Sequence, residues 1–171
     1  MIKIKKAIES NTDVLALLGR LTYVESHGRF IDDKNDLLQY INEAFSVSKT
    51  KEDINNPKII FYIIYVNDLP AGYAKLIVNA YHKDVVSQNN CRLDRIYILN
   101  EFIPLKIGQQ LLTYVEKQAK ELQLDMIWLS VYVKNHRAIR FYEKNEFKNV
   151  GELNFLVNGK PYDNIVFSKH I

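Results

Sequence analysis

The segment from Arg92 to Val150 holds the residues whose types and spacing could do chemistry. Within it, a predicted strand runs through a short loop into an amphipathic helix with Gly108 in its first turn. Such a helix start binds anions, because its first amides have no partner in the helix and the helix dipole adds positive charge. Gly108 lets a phosphate approach the backbone, and Lys106 adds a cation. The loop indicates a pyrophosphate site, although an ordinary strand-to-helix turn explains the same residues.

A second strand and helix follow, and the whole segment resembles the GNAT superfamily of N-acetyltransferases. The matching stretches are LDRIYIL (Leu93–Leu99), KIGQQLL (Lys106–Leu112), WLSVYVKN (Trp128–Asn135) and AIRFYEKNEF (Ala138–Phe147). The resemblance implies binding of acetyl-coenzyme A (acetyl-CoA) and transfer of its acetyl group to an amine. The loop departs from the family's usual pattern at Ile103 and Lys106 and matches it at Gly108.

The resemblance also implies which residues hold the cofactor. In this family the pantetheine arm pairs with the backbone of the first of two splayed strands, and the pyrophosphate lies on the amides of the helix start. By position, the cofactor-binding residues are Ile96, Tyr97, Ile98, Lys106, Ile107, Gly108, Gln109 and Asn135. For Asn135 a helix N-cap is the alternative, and one side chain can do both.

The resemblance places the general acid at Tyr142. The transfer needs a neutral amine to attack a thioester carbonyl, after which the coenzyme A thiolate leaves and gains a proton. A phenol with a pKa near about 10 can supply that proton in a shielded site. The alternative for Tyr142 is a core aromatic residue beside Phe141.

Asp94 is the candidate for handling the proton of the amine. It lies on the strand that would line the site, and strand alternation predicts its side chain on the same side as Ile96 and Ile98. There it would accept the proton through water or bind the ammonium group. A structural salt bridge with Arg92 or Arg95 is the equally supported alternative.

The first half of the chain resembles PaiA-type spermidine/spermine N-acetyltransferases. The matching stretches are TYVESHGRFIDD (Thr22–Asp33), LLQYINEAF (Leu37–Phe45) and FYIIYVNDLPAGYAKL (Phe61–Leu76). The resemblance implies a polyamine or a similar small-molecule amine as the acceptor. A polycation favours carboxylates and aromatic faces, so Tyr23 and Glu25 are the predicted substrate-binding residues. Asp32 and Asp33 are predicted to cap helices instead.

Length and composition predict one N-acetyltransferase domain over residues 1–171. The net charge of +3 comes from scattered lysines, whereas nucleic-acid binding usually needs a clustered basic face. No apolar run reaches the roughly 20 residues that cross a bilayer, and the N-terminus lacks the apolar core of a signal peptide. The single cysteine, Cys91, has no partner for an internal disulfide. We therefore expect a cytoplasmic protein with no membrane or nucleic-acid partner and no metal.

The predicted elements follow the order β-α-α-β-β-β-α-β-α-β-β. This order predicts an α/β fold with a central mixed sheet of about seven mostly antiparallel strands, flanked by helices. The long helix of the second half is predicted to bury Ile107, Leu111, Leu112, Val115, Ala119 and Leu122. The first helix is predicted to bury Val14, Leu17, Leu18, Leu21 and Val24. A further short helix over Lys49–Asn55 is compatible with the polar stretch that precedes the hairpin.

Three functions compete. The leading hypothesis is an acetyl-CoA-dependent N-acetyltransferase that moves the acetyl group to a primary amine of a small molecule by direct attack in a ternary complex. A second hypothesis keeps the chemistry but acetylates a protein or peptide amine. A third is a non-catalytic regulator that binds an acyl-CoA, which the altered loop at Ile103 and Lys106 motivates. A homodimer is a further expectation, because many members of the family pair.

Overall fold

One mixed sheet of seven strands runs through the protein, which the computed structural model describes over residues 1–171. The strands are β1 (Ile2–Lys6), β2 (Ile59–Val66), β3 (Leu69–Val78), β4 (Asn90–Ile98), β5 (Met126–Tyr132), β6 (Lys148–Val157) and β7 (Lys160–His170). The helices are α1 (Thr12–His27), α2 (Lys34–Ala44), α3 (Val47–Asn55), α4 (Ile107–Glu121) and α5 (His136–Lys144). The strand order is β1-β2-β3-β4-β5-β7-β6, and β4 with β5 is the one parallel pair. The predicted α/β fold and mostly antiparallel sheet are confirmed.

The two faces of the sheet carry different helices because side chains alternate along each strand. Tyr62 and Ala74 belong to the large core cluster that includes the buried stripe of α4. Phe61 and Tyr73 point to the other face and pack with Leu15 and Leu18 of α1. Strands β2 and β3 therefore separate an α4 side from an α1 side, and the functional site draws on both.

Helix α4 is anchored by apolar residues that recur at helical spacing. The fully buried members of this stripe are Ile107, Leu111, Leu112, Val115 and Ala119. Burying a side chain of this size stabilises the fold by about 1.5–3 kcal/mol, so the stripe fixes α4 against the sheet. The predicted stripe is confirmed except at Leu122, which is the C-cap of α4 and 47% exposed.

Helix α1 buries only part of the predicted stripe: Leu18 is buried and Val14 is half-buried. Leu17, Leu21 and Val24 are 58%, 47% and 43% exposed, whereas Thr22 and Tyr23 are buried. Thr22 can face inward because its hydroxyl donates to the carbonyl oxygen of Leu18 at 2.6 Å, which satisfies the hydroxyl within the helix. The consequence for the site is that α1 turns Tyr23 towards the interior.

Helices α2 and α3 pack beside α1 and begin at side-chain caps. The carboxylate of Asp33 accepts from the amide of Asn35 at 2.8 Å. The hydroxyl of Ser46 accepts from the amide of Lys49 at 3.1 Å. Both contacts satisfy amides that have no partner within their helix. The predicted cap at Asp33 is confirmed, and α3 begins two residues before the short helix that the sequence suggested.

Strands β3 and β4 pair closely, with one irregularity. Arg95 lies opposite Lys75 and Leu93 lies opposite Leu76, so Asp94 is the extra residue of a β-bulge. Further along, a Cβ atom at Gly72 would lie 2.3 Å from the carbonyl oxygen of Tyr97, so only glycine fits there. The bulge determines which side of the sheet each β4 side chain faces, and the close approach fixes the distance between β3 and β4.

None of the helices has the length and apolar character needed to span a bilayer.

Candidate active site

The parallel strands β4 and β5 separate after a short paired region. Only three residue pairs join the two strands: Asn90 with Met126, Cys91 with Ile127, and Arg92 with Trp128. Beyond that point β5 continues with β7 as its neighbour, while β4 keeps only β3. A cavity of about 500 Å³ occupies the gap and its surroundings. The sequence prediction of two splayed strands agrees with this geometry.

The backbone of β4 offers unpaired groups to this gap. The amide of Leu99 donates to the carbonyl oxygen of Ala71 at 2.9 Å. Because backbone groups alternate along an antiparallel strand, those of Tyr97 also point to β3, and those of Ile96 and Ile98 point to the gap. Of the three predicted backbone contacts, Ile96 and Ile98 are therefore free to pair with an extended ligand, whereas the backbone of Tyr97 is used by the sheet.

The start of α4 closes one end of the cavity. The amide of Lys106 donates to Ile103 at 3.0 Å, and that of Gln109 donates to Lys106 at 3.3 Å. The amides of Ile107 and Gly108 are the two predicted phosphate donors that remain without an acceptor. Lys106 adopts the left-handed conformation (φ 55°) that lets the chain turn into the helix. The predicted anion site thus narrows from four amides to two.

Space and charge at this helix start suit a phosphate. A Cβ atom at Gly108 would meet only the Ile98 side chain, at 3.6 Å, so the region above the glycine is open. Lys106 and Lys144 both line the cavity. The side chain of Gln109 donates to Asn145 at 2.7 Å, which ties the first turn of α4 to the end of α5. These residues fit the pyrophosphate of coenzyme A.

Tyr142 lines the cavity from α5. Its ring packs edge-on against Phe141 at 5.3 Å and Phe147 at 5.5 Å between centroids, which fixes its orientation. Burial raises the pKa of the Tyr142 phenol above its ordinary value. The residue therefore keeps its proton at neutral pH, as a proton donor must.

Asn135 lies between β5 and α5 and lines the cavity. Its side-chain oxygen accepts from the amide of Ala138 at 3.3 Å, which makes it the N-cap of α5. The N-cap alternative is confirmed by this contact. The predicted contact with the cofactor stays a prediction. It is compatible with the cap, because the side-chain nitrogen of Asn135 is still free to donate.

Asp94 points to a different side from the predicted one. The bulge turns it away from Ile96 and Ile98, and its carboxylate lies 3.4 Å from Lys75 and 3.4 Å from Arg92. Arg95 lies 3.7 Å away. Burial alone would raise the pKa of Asp94, but the charges of Arg95, Lys75 and Arg92 lower it below its usual range. The salt-bridge alternative is thus realised, and the carboxylate is a weaker base than an isolated one.

The two predicted substrate residues have different surroundings. Tyr23 lines the cavity and stacks on His27, with 4.7 Å between ring centroids. Glu25 lies outside the cavity, where its carboxylate accepts from the amide of Asn100 at 2.8 Å. That contact satisfies the first amide of the 3-10 turn Asn100–Leu105 and holds the Glu25 carboxylate outside the cavity.

Sequence reasoning missed His27 and the two arginines of β4 as parts of the cavity wall. His27 is the last residue of α1, and its ring packs edge-on to Tyr97 at 5.6 Å between centroids. Burial, with a smaller effect of Arg29, lowers the pKa of His27 to about 4, so its ring is uncharged at neutral pH. The only sequence signal for Arg92 and Arg95 was their place beside Asp94.

Comparisons with known proteins identify the family and support the fold. The sequence profile of the acetyltransferase (GNAT) family matches residues 27–147. An N-acetyltransferase encoded 3′ of pepI in Lactobacillus delbrueckii subsp. lactis is 24% identical over 168 residues, which cover 98% of this chain and 96% of that protein. The PaiA N-acetyltransferase of Thermoplasma acidophilum, solved in complex with coenzyme A, superimposes with a TM-score of 0.78 at 23% identity, covering 100% of this chain and 99% of the other. The ribosomal-protein-S18-alanine N-acetyltransferase of Escherichia coli gives 0.70 at 14% identity, with coverages of 100% and 94%.

The chain therefore belongs to the acetyltransferase (GNAT) family. It is an N-acetyltransferase, and its cosubstrate is acetyl-CoA. The free backbone of Ile96 and Ile98 and the open helix start at Gly108 fit that cosubstrate. No three His, Cys, Asp or Glu side chains come together as metal ligands.

Proposed function

We propose that this protein acetylates the primary amine of a small molecule in the gap between β4 and β5. One observation carries the proposal: Ile96 and Ile98 of β4, Gly108 at the start of α4 and Tyr142 all border one cavity. An extended ligand paired with Ile96 and Ile98 and anchored at Ile107 and Gly108 lies along β4. Its far end then points back towards the place where the two strands meet.

The chain's own residues would perform three tasks. Ile96 and Ile98 would hold the pantetheine arm by backbone pairing, as an added strand does. Ile107, Gly108 and Lys106 would hold the pyrophosphate. Bound acetyl-CoA supplies an activated acyl group as a thioester. Tyr142 would give its proton to the departing sulfur, which favours product formation by removing the thiolate.

Asp94 remains our candidate for the amine end of the acceptor. It is the one carboxylate among the residues that line the cavity. We propose that it attracts the ammonium group and that a water molecule next to it takes the proton before attack. Its low basicity favours the first of these roles over direct proton abstraction.

Two classes of acceptor and one non-catalytic alternative have different support. A polyamine such as spermidine or spermine is the candidate that the resemblance to PaiA-type enzymes supports. A peptide amine is the candidate that the fold of the S18-alanine enzyme supports. The non-catalytic alternative loses support, because Tyr142 lines the cavity and the altered loop still leaves two free amides. We place the protein in the cytoplasm, and a homodimer stays an expectation from the family.

The test is release of free thiol from acetyl-CoA by the purified protein with a panel of amines. The panel contains spermidine, spermine, an aminoglycoside, amino acids and N-terminal peptides, and mass spectrometry checks that the amine gained one acetyl group. We expect turnover with at least one small-molecule amine. Turnover restricted to peptides would move the assignment to a peptide acetyltransferase. Binding of acetyl-CoA without turnover on any amine would support the regulator.

A further inference from the structure

The acceptor side of the gap is lined by two guanidinium groups. The bulge at Asp94 places Asp94 and Arg95 on the α1 side of the sheet, next to Lys75. Arg95 lies over the ring of Phe45, with 4.4 Å from its Cζ to the centroid. Arg92 lies over the ring of Trp128 at 5.1 Å. Both arginines line the cavity, and each packs against an aromatic face.

The charges around these arginines do not balance. Lys75 is neutralised by Asp53, at 2.8 Å. Asp94 alone then faces both Arg92 and Arg95, so the group carries one positive charge in excess. The distance from Arg95 to Asp94, 3.7 Å, exceeds a hydrogen bond. Arg92 Nε is buried and makes no hydrogen bond, and its ion-pair partner Asp94 lies 3.4 Å away.

Such an arrangement favours an anion next to the arginines and offers a cation only one carboxylate, Asp94. A buried donor without a partner is costly, and a carboxylate offers a guanidinium two oxygens in matching geometry. A diamine or polyamine would instead bring a second ammonium group against Arg92 and Arg95. No second carboxylate lines the cavity to receive it. Like charges in a shielded site repel, which selects against such an acceptor.

On the acceptor side, the walls beyond Asp94 and the two arginines are uncharged and mostly aromatic. Phe30 packs on Tyr132 at 5.2 Å, and Tyr132 packs on Tyr162 at 5.6 Å. Tyr23 and the uncharged ring of His27 continue this surface. All five side chains line the cavity. The walls can therefore hold an apolar or aromatic body, but they add no charge.

We propose that the acceptor is an amine that also carries a carboxylate, which Arg92 and Arg95 bind, and that polyamines are disfavoured. This inference rests on the proposed acetylation of a small-molecule amine. In the bound acceptor the ammonium group faces Asp94 and the carboxylate faces the guanidinium groups. An amino acid or a related amino carboxylate has both groups at a spacing that such a pair can recognise.

Two matched pairs of amines test the inference. γ-Aminobutyrate and putrescine share a four-carbon chain and differ in the charge at the far end, and phenylalanine and phenethylamine differ by one carboxylate. We expect kcat/KM from thiol release to favour the amino carboxylate in at least one pair by about tenfold or more. Equal or higher values for putrescine and phenethylamine would overturn the inference and leave the acetyltransferase intact.

Variants at the two arginines sharpen the result. Arg92→Gln should raise KM about tenfold or more for phenylalanine, and by a clearly smaller factor for phenethylamine, which has no carboxylate for Arg92 to bind. Arg140→Gln is the matched control, because Arg140 is exposed on α5 and does not line the cavity. An equal loss on both amines of a pair would show a structural role for Arg92 and contradict the inference.

If Arg92→Gln does not fold, the comparison of the matched amines with the wild-type enzyme still tests the inference. If no amine of any kind releases thiol, the proposed function fails first, and this inference fails with it.

Discussion

In the proposed mechanism Tyr142 is the proton donor, and its surroundings suit that role. Two neighbouring rings, Phe141 and Phe147, hold the phenol in place. Burial raises its pKa, so it stays protonated across the neutral range. Rotation is restricted and the proton is retained at neutral pH, which are two of the conditions for a general acid.

Replacing Tyr142 by Phe should separate chemistry from binding. The ring contacts with Phe141 and Phe147 persist, whereas the proton donor is lost, so we expect kcat to fall by about a hundredfold. The affinity for acetyl-CoA should stay nearly unchanged. Steady-state thiol release and calorimetric titration measure the two quantities.

Tyr114→Phe is the matched control for this experiment. Tyr114 lies on α4, packs edge-on against Tyr62 at 5.4 Å and does not line the cavity. It should keep wild-type kcat. A Tyr142→Phe enzyme with wild-type kcat would remove Tyr142 from the mechanism.

Among the elements, the start of α4 and the bulge in β4 shape the site. The helix start offers the free amides of Ile107 and Gly108, and the buried stripe of α4 holds them in position. The bulge at Asp94 turns two charged side chains to the acceptor side, and Ile96 and Ile98 keep the cofactor side. In the proposed binding mode, one strand would contact both substrates.

A glutamate at Gly108 should abolish binding of acetyl-CoA. The side chain would enter the space above the helix start, and its negative charge would repel the pyrophosphate. Titration of coenzyme A by calorimetry measures the effect, and we expect a loss of about a hundredfold or more in affinity.

Gly108→Ala is the control for size. Its Cβ atom would make an ordinary contact with Ile98 at 3.6 Å, so the fold and most of the affinity should survive. Unchanged affinity in Gly108→Glu would mean that the pyrophosphate binds elsewhere.

At the scale of the whole molecule, the sequence predicted the fold and the cofactor half of the site better than the acceptor half. The stripe of α4 and the order of the strands follow from periodicity, which is a local property. The face that α1 buries does not follow from periodicity, because the exposed residues Leu17, Leu21 and Val24 are also apolar and also recur at helical spacing. Packing against the sheet decided between them.

The acceptor half depends on contacts that no local pattern reveals. Alternation predicted Asp94 beside Ile96, and one bulged residue reversed that side. Glu25 has the right charge for an amine, yet its carboxylate caps a turn at Asn100. His27 and Arg95 enter the cavity through tertiary packing alone. These residues could be placed only once β4, α1 and α2 were seen together.

Amide hydrogen exchange with and without acetyl-CoA tests most directly whether the gap between β4 and β5 holds the cosubstrate. NMR detection at saturating acetyl-CoA should show strong new protection at Ile98, Ile107 and Gly108, whose amides have no partner in the free protein. The amide of Tyr97, which faces β3, should change little. Protection confined to other parts of the protein, or none at these three amides, would contradict the account.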